Sequence, residues 1–173
     1  GFKLLGSFCN NQQMVVIDGV TGSGKTELYI QTIDRYIQKN KQALVLVPEI
    51  GLTPQLFEQF YYRFGNVVSV LHSDIAAKKR ADIWLKAKEN ILKIIIGTRS
   101  GVFTPFKDLG IIIVDEEHDS SLKQQNGLRY SARDLAILRA KYNKIPAILG
   151  SATPSFETLM NVKNGKYKKI TLK

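Results

Sequence analysis

Short, almost uniformly apolar runs alternate along the chain with stretches whose apolar residues recur every three or four positions. The runs at 14–18, 43–47, 67–71, 92–96, 110–115 and 146–150 read as strands, with 167–172 as a further candidate. Apolar residues at every position, rather than at alternate ones, predict strands covered on both faces, as in a parallel sheet between helical layers. Helical spacing marks 26–39, 54–64, 74–88, 131–142 and 155–162. Alternation of this kind predicts a three-layer α/β fold, with a mostly parallel central sheet and right-handed crossovers placing helices on both faces. No repeat, low-complexity tract or linker interrupts it, so 1–173 is expected to be one unit, its first dozen residues irregular. The interval 116–130 holds no strand and exceeds an ordinary βα connection, which makes it a candidate functional loop.

Composition narrows the setting. At 173 residues, 44% hydrophobic and 23% charged, the chain has a globular rather than a disordered composition. Its longest apolar runs are far below the ~20 residues a bilayer span needs, and no export signal opens it, so a cytoplasmic protein without membrane association is expected. A single cysteine, Cys9, argues against a disulfide framework and against zinc in this chain. The net charge of +10 from 25 basic and 15 acidic residues fits either a polyanion partner or a solvated lysine-rich surface. Four of the 15 carboxylates lie between Asp115 and Asp119, an acidic cluster on an otherwise still more basic body.

Gly19-Val20-Thr21-Gly22-Ser23-Gly24-Lys25-Thr26 matches the P-loop pattern, between a predicted strand and a predicted helix. Gly19, Gly22 and Gly24 allow a tight turn of inward-facing amides, with Thr21 and Ser23 between them. The helix start adds free N–H groups and a positive dipole end. Lys25 is placed to reach the β- and γ-phosphates and the Thr26 hydroxyl to ligate Mg²⁺, so ATP with Mg²⁺ is the expected cofactor.

A P-loop needs a second carboxylate, and the run at 111–114 delivers Asp115-Glu116-Glu117-His118 at the edge where open α/β sheets bind ligands. Asp115 is the expected metal-side carboxylate, with Glu116 the base that orients and deprotonates water. Ser151-Ala152-Thr153 after the next strand reads two ways. It is a helix-cap signal with Pro154 at the first helical position and, compatibly with that, a pair of hydroxyls that can contact His118 and report on the phosphates. Glu49-Ile50-Gly51-Leu52-Thr53-Pro54 and Gly97-Thr98-Arg99-Ser100 each follow a strand and read as helix starts. They could offer amides to successive nucleic-acid phosphates, with Arg99 adding charge.

These segments together resemble the superfamily-2 helicases, and among them the primosomal replication-restart helicases, specifically their first motor lobe. The resemblance is carried by GVTGSGKTE at 19–27, PEIGLTPQ at 48–55, GTRS at 97–100, TPF at 104–106, DEEHDSS at 115–121, RDLAI at 133–137 and GSATPS at 150–155. It implies a RecA-like P-loop NTPase lobe, part of a larger protein whose second motor lobe supplies the arginine finger. It further implies ATP-driven 3′-to-5′ translocation on single-stranded DNA and action at forked DNA. Contact with single-strand binding protein and primosome proteins, in a bacterial cytoplasm, is implied as well.

By the same resemblance Lys25 and Thr26 hold phosphate and Mg²⁺, Asp115 and Glu116 are the metal-holding and water-activating carboxylates, and His118, Ser151 and Thr153 couple the nucleotide and DNA sites. Gly51, Thr53, Thr98 and Arg99 line the DNA track. The 119–130 interval corresponds to a DNA-sensing aromatic loop, represented here by Tyr130, with Lys123, Arg129 and Arg133 keeping it basic. Leu122 and Leu128 stand where that loop commonly has an aromatic and a proline, which predicts weaker coupling. The isolated lobe is expected to be nearly inactive. Its alternatives are a nucleotide-gated DNA-binding module without turnover, a translocase of another system, or a small-molecule P-loop kinase.

Overall fold

The computed structural model describes residues 13–172, so the irregular start expected for the first dozen lies outside the described residues. Seven strands form one sheet: β1 (Met14–Asp18), β2 (Gln42–Leu46), β3 (Val68–Leu71), β4 (Ile94–Gly97), β5 (Leu109–Val114), β8 (Ala147–Ser151) and β9 (Tyr167–Thr171). Their spatial order is β3-β4-β2-β5-β8-β1-β9, and every neighbouring pair is parallel. Five helices connect them: α1 (Lys25–Gln38), α2 (Pro54–Phe64), α3 (Ala77–Lys88), α4 (Ala132–Tyr142) and α5 (Phe156–Lys163). A two-residue antiparallel ladder, β6 (Lys123–Gln124) with β7 (Tyr130–Ser131), stands apart from the sheet.

Alternate side chains of the same strands enter opposite cores, which is why the runs carry no polar alternation. Val15, Ile17, Val45, Ile96 and Ile113 pack with Leu28, Tyr29 and Ile33 of α1 and Phe60 of α2. Val16, Leu44, Leu46, Ile112 and Val114 pack on the other face with Ile83 of α3 and the small stripe Ala132, Ala136 and Ala140 of α4. Alanines at this four-residue spacing bring α4 close to the sheet.

Element boundaries moved where side chains compete with backbone pairing. The helix expected from residue 74 begins at Ala77, because residues 72–76 form a turn in which Asp74 N–H donates to the His72 ring at 3.3 Å. The strand expected at 92–96 is Ile94–Gly97, and the one at 110–115 ends at Val114, leaving Asp115 just beyond the sheet. The interval 116–130 contains a 3-10 turn, Ser120–Leu122, followed by the small ladder.

Register decides what meets at the carboxyl edge. Gly97 pairs with Leu46, Leu46 with Val114, Val114 with Leu149 and Leu149 with Val16, so β4, β2 and β5 end at one level while β8 and β1 run two residues further, to Ser151 and Asp18. Across that edge the sequence segments follow in the order 98–101, 48–53, 115–119, 152–155 and 19–24. The acidic segment is therefore central, with the P-loop and the Ser-Ala-Thr turn on one side and the two candidate DNA segments on the other.

Candidate nucleotide site and its nucleic-acid edge

The P-loop turn depends on its glycines in two different ways. Gly22 and Gly24 have φ of 82° and 87°, a left-handed conformation that β-carbon sterics penalise in other residues. Gly19 instead makes room, since a Cβ there would fall 2.5 Å from Ser23 Oγ. Gly24 caps α1, and Ser23 N–H donates to Val20 O at 3.1 Å, closing the loop. Gly19 N–H donates to Ser151 O at 3.1 Å, joining the P-loop to the Ser-Ala-Thr turn.

Lys25 is buried and its ammonium is fully engaged. It donates to Gly19 O at 2.7 Å and lies 3.3 Å from Glu116 Oε1. Glu116 reaches this position through a backbone bend at φ 44°, a left-handed conformation costing on the order of 1–3 kcal/mol in a non-glycine residue. The bend takes the chain off β5 and is closed by Asp119 N–H donating to Glu116 O at 2.8 Å. Thr21, Gly22, Thr26, Asp115 and Glu116 line one cleft of 1340 Å³ that extends between α1 and α2. Burial pushes the Asp115 carboxyl above the usual carboxylate range, aided by the Glu116 charge and opposed by a hydrogen bond from Tyr29 and by the Lys25 charge.

Magnesium at this site fits the donor set. Among the described residues no three His, Cys, Asp or Glu side chains converge as a cage. Mg²⁺, however, is typically bound through one or two protein oxygens together with phosphates and water. The Thr26 hydroxyl and the Asp115 carboxylate, both facing the P-loop cleft, meet that requirement.

The turn after β8 meets His118 from two sides. His118 Nδ1 is 2.8 Å from Ser151 Oγ, and Nε2 is 3.2 Å from Thr153 Oγ1. Ser151 Oγ also accepts from Thr153 N–H at 2.9 Å. The helix-cap reading of Ser151 and Thr153 is corrected: Ser155 caps α5 by accepting from Thr158 N–H, so Pro154 precedes the helix rather than opening it.

On the other side of the acidic segment, Thr53 caps α2 by accepting from Leu56 N–H at 3.2 Å, with Gly51 ending a 3-10 turn before it. The expected helix start at Thr98 is corrected. Thr98 is buried and leads only into the 3-10 turn Arg99–Phe103, which ends at Thr104 before Pro105. Arg99 bridges the two flanking segments, lying 3.6 Å from Glu49 and donating to Ser121 O at 3.3 Å. Tyr130 packs edge-on against Phe103 at 5.1 Å, half-buried beside Arg99. Burial raises its phenol pKa and the Arg99 charge partly offsets that. Lys123 and Arg129 are exposed, whereas Leu122 is turned into the core.

Arg133 does not add free charge to that loop. It is buried, and its guanidinium donates to Glu117 Oε2 at 3.1 Å, to Asp134 at 2.8 Å and to Ser155 Oγ at 3.0 Å. Burial alone would lower its pKa, but its bonds to Asp134, Glu157 and Glu117 outweigh this and raise it. Glu117, with no exposed side-chain surface, also accepts from Ser155 N–H at 2.7 Å. Neither Glu117, Arg133, Ser155 nor Tyr29 was singled out for such a role in the sequence. Tyr29 had a signal, its place one helical turn after Lys25; Glu117 had only its membership of an acidic run.

The profile of the DEAD/DEAH box helicase family matches residues 4–162. The chain belongs to that family. It is 54% identical over 157 residues to the replication restart protein PriA of Haemophilus influenzae, covering 91% of this chain and 22% of that protein. It is 44% identical over 164 residues to PriA of Bacillus subtilis, covering 95% of this chain and 20% of that protein. The chain thus spans about a fifth of the length of these curated relatives. The helicase domain of Pyrococcus furiosus Hef superposes with a TM-score of 0.64 at 19% identity, over 98% of this chain and 37% of that one. A hypothetical ATP-dependent RNA helicase of Sulfolobus tokodaii gives 0.64 at 20% identity, over 99% and 53%. Those superpositions identify the RecA-like fold, and DEAD/DEAH membership brings with it the use of ATP and Mg²⁺.

Proposed function

We propose that residues 1–173 are the first motor lobe of a larger 3′-to-5′ DNA helicase acting in replication restart and primosome assembly. The observation that carries this reading is the grouping of Lys25, Thr26, Asp115 and Glu116 around one cleft, with His118 bonded to the Ser151–Thr153 turn beside it. Similarity to the PriA proteins supports the replication-restart assignment. Single-stranded and forked DNA, the second motor lobe, single-strand binding protein and primosome proteins are the proposed partners, in a bacterial cytoplasm. Among the described residues no helix is long and apolar enough to cross a membrane.

In this reading the P-loop amides and Lys25 bind the phosphates, while Thr26 and Asp115 hold Mg²⁺, which supplies charge neutralisation at the phosphoryl group. Glu116 leaves its contact with Lys25 to orient water and take its proton. His118, tied to Ser151 and Thr153, transmits the arrangement of the nucleotide side to the turn before α5. Gly51, Thr53 and Arg99 contact DNA phosphates, with Lys123, Arg129 and Tyr130 completing the edge, while buried Thr98 precedes the turn that carries Arg99.

A second reading for the chain alone is a nucleotide-gated DNA-binding module without turnover, since the arginine finger is proposed to come from the second lobe. Arg63, which lines the far end of the cleft, lies 2.9 Å from Asp34 in a solvent-exposed pair. ATPase measured with and without single-stranded DNA, on this chain and on the longer protein, separates the two. DNA-stimulated turnover is expected only in the longer protein. Robust stimulated turnover by residues 1–173 would show that the site is complete without a second lobe.

The DNA edge makes its own prediction. Arg99 already shares its charge with Glu49, so Arg99→Ala should weaken single-strand binding about equally for all base compositions. The salt slope should become shallower by at most about 0.7, the contribution of one phosphate on a single strand. A change confined to one base composition would argue that Arg99 reads bases.

A further inference from the structure

Tyr29, which belongs to neither sequence motif of the nucleotide site, makes a part-buried contact with Asp115. Tyr29 stands one turn after Lys25 on α1 and is 2% exposed. Its hydroxyl donates to Asp115 Oδ1 at 2.8 Å. Gly150 on β8 provides the space: a Cβ there would lie 1.7 Å from Tyr29 Oη and 3.1 Å from Asp115 Oδ1. Helix α1, the segment just after β5, and β8 thus converge on one hydrogen bond. A phenylalanine would fill the apolar part of this position without introducing a hydroxyl that must find a partner when buried. The hydroxyl fixes the rotation of the carboxylate, which retains lone pairs for a second partner in the cleft it shares with Thr26.

Resting on the reading of Asp115 as the magnesium-side carboxylate, we propose that Tyr29 is a positioning residue for the metal. It holds Asp115 in the orientation that meets the ion, and Gly150 is the packing condition that admits it. Outer partners of metal ligands typically change metal affinity by about 10–100-fold when removed.

The test is binding of a fluorescent ATP analogue to the chain, titrated with Mg²⁺ and repeated in EDTA. Tyr29→Phe should raise the Mg²⁺ concentration at half-effect by about 10–100-fold while leaving affinity in EDTA unchanged. Asp115→Asn should abolish the Mg²⁺ response. If Tyr29→Phe titrates as wild type while Asp115→Asn loses its response, the proposal is overturned and the reading of Asp115 stands. Equal losses with and without Mg²⁺ in Tyr29→Phe would make Tyr29 a structural residue and overturn it too. An unchanged Mg²⁺ response in Asp115→Asn would remove the reading of Asp115 and the proposal with it. Should the phenylalanine variant unfold, Tyr29→Met removes the same hydroxyl with a flexible side chain and is judged by the same shift.

Discussion

Glu116→Gln is expected to lower ATP turnover about 10²–10⁴-fold in the longer protein proposed to carry this lobe, the range for loss of a positioned general base. Nucleotide binding should be retained within a few-fold. Glutamine preserves length and hydrogen bonding but cannot accept the proton of the attacking water. Its removal of charge also frees Lys25 from the carboxylate 3.3 Å away, which favours phosphate binding if anything. Lys25→Ala should behave differently and weaken nucleotide binding as well as turnover, because in the proposed reading it removes the charge that binds the phosphates. Steady-state ATPase with saturating single-stranded DNA, paired with a binding titration, distinguishes the two variants. Turnover by Glu116→Gln within a few-fold of wild type would assign the base elsewhere.

The three-layer fold was legible because both faces of the sheet are covered. Runs such as Ile94-Ile95-Ile96 and Ile111-Ile112-Ile113 read as strands without needing knowledge of what covers them. The P-loop was legible because its chemistry is local: the residues that make the turn are consecutive. Tertiary features were not. The helix expected after Gly97 is only the 3-10 turn Arg99–Phe103, because Pro105 disfavours helical backbone at Thr104 before it and cannot donate to a helical ladder. Within 115–118, a run of three carboxylates and a histidine gives no clue that the chain bends through φ 44° at Glu116. That bend sends Glu116 to Lys25, Glu117 to Arg133 and His118 to Ser151, three different destinations for adjacent side chains. Arg133 misled for the same reason: sixteen residues of sequence separate it from the carboxylate that neutralises it.

The pair formed by Arg133 and Glu117 carries the second large expectation, on stability rather than catalysis. Glu117 has no exposed surface and Arg133 is 10% exposed at the side chain, so each has given up its water for the other. Such a pair adds little when compared with a well-packed apolar replacement, because desolvation offsets most of the attraction, but removing one partner leaves the other charge buried. Arg133→Met should therefore cost about 3–5 kcal/mol. For a chain of this length that corresponds to a fall in Tm of roughly 6–20 °C. Glu117→Gln should cost less, because Arg133 keeps its bonds to Asp134 and Glu157, which face solvent. The double variant should recover part of the sum, since it leaves no charge of the pair unpaired; contacting residues commonly show about 0.5–3 kcal/mol of such coupling. Chemical denaturation of the four proteins measures the cycle. A cost below about 1 kcal/mol for Arg133→Met, or strict additivity in the double variant, would show that Glu117 is satisfied by Ser155 alone. The guanidinium would then be dispensable in joining the acidic segment after β5 to the start of α5.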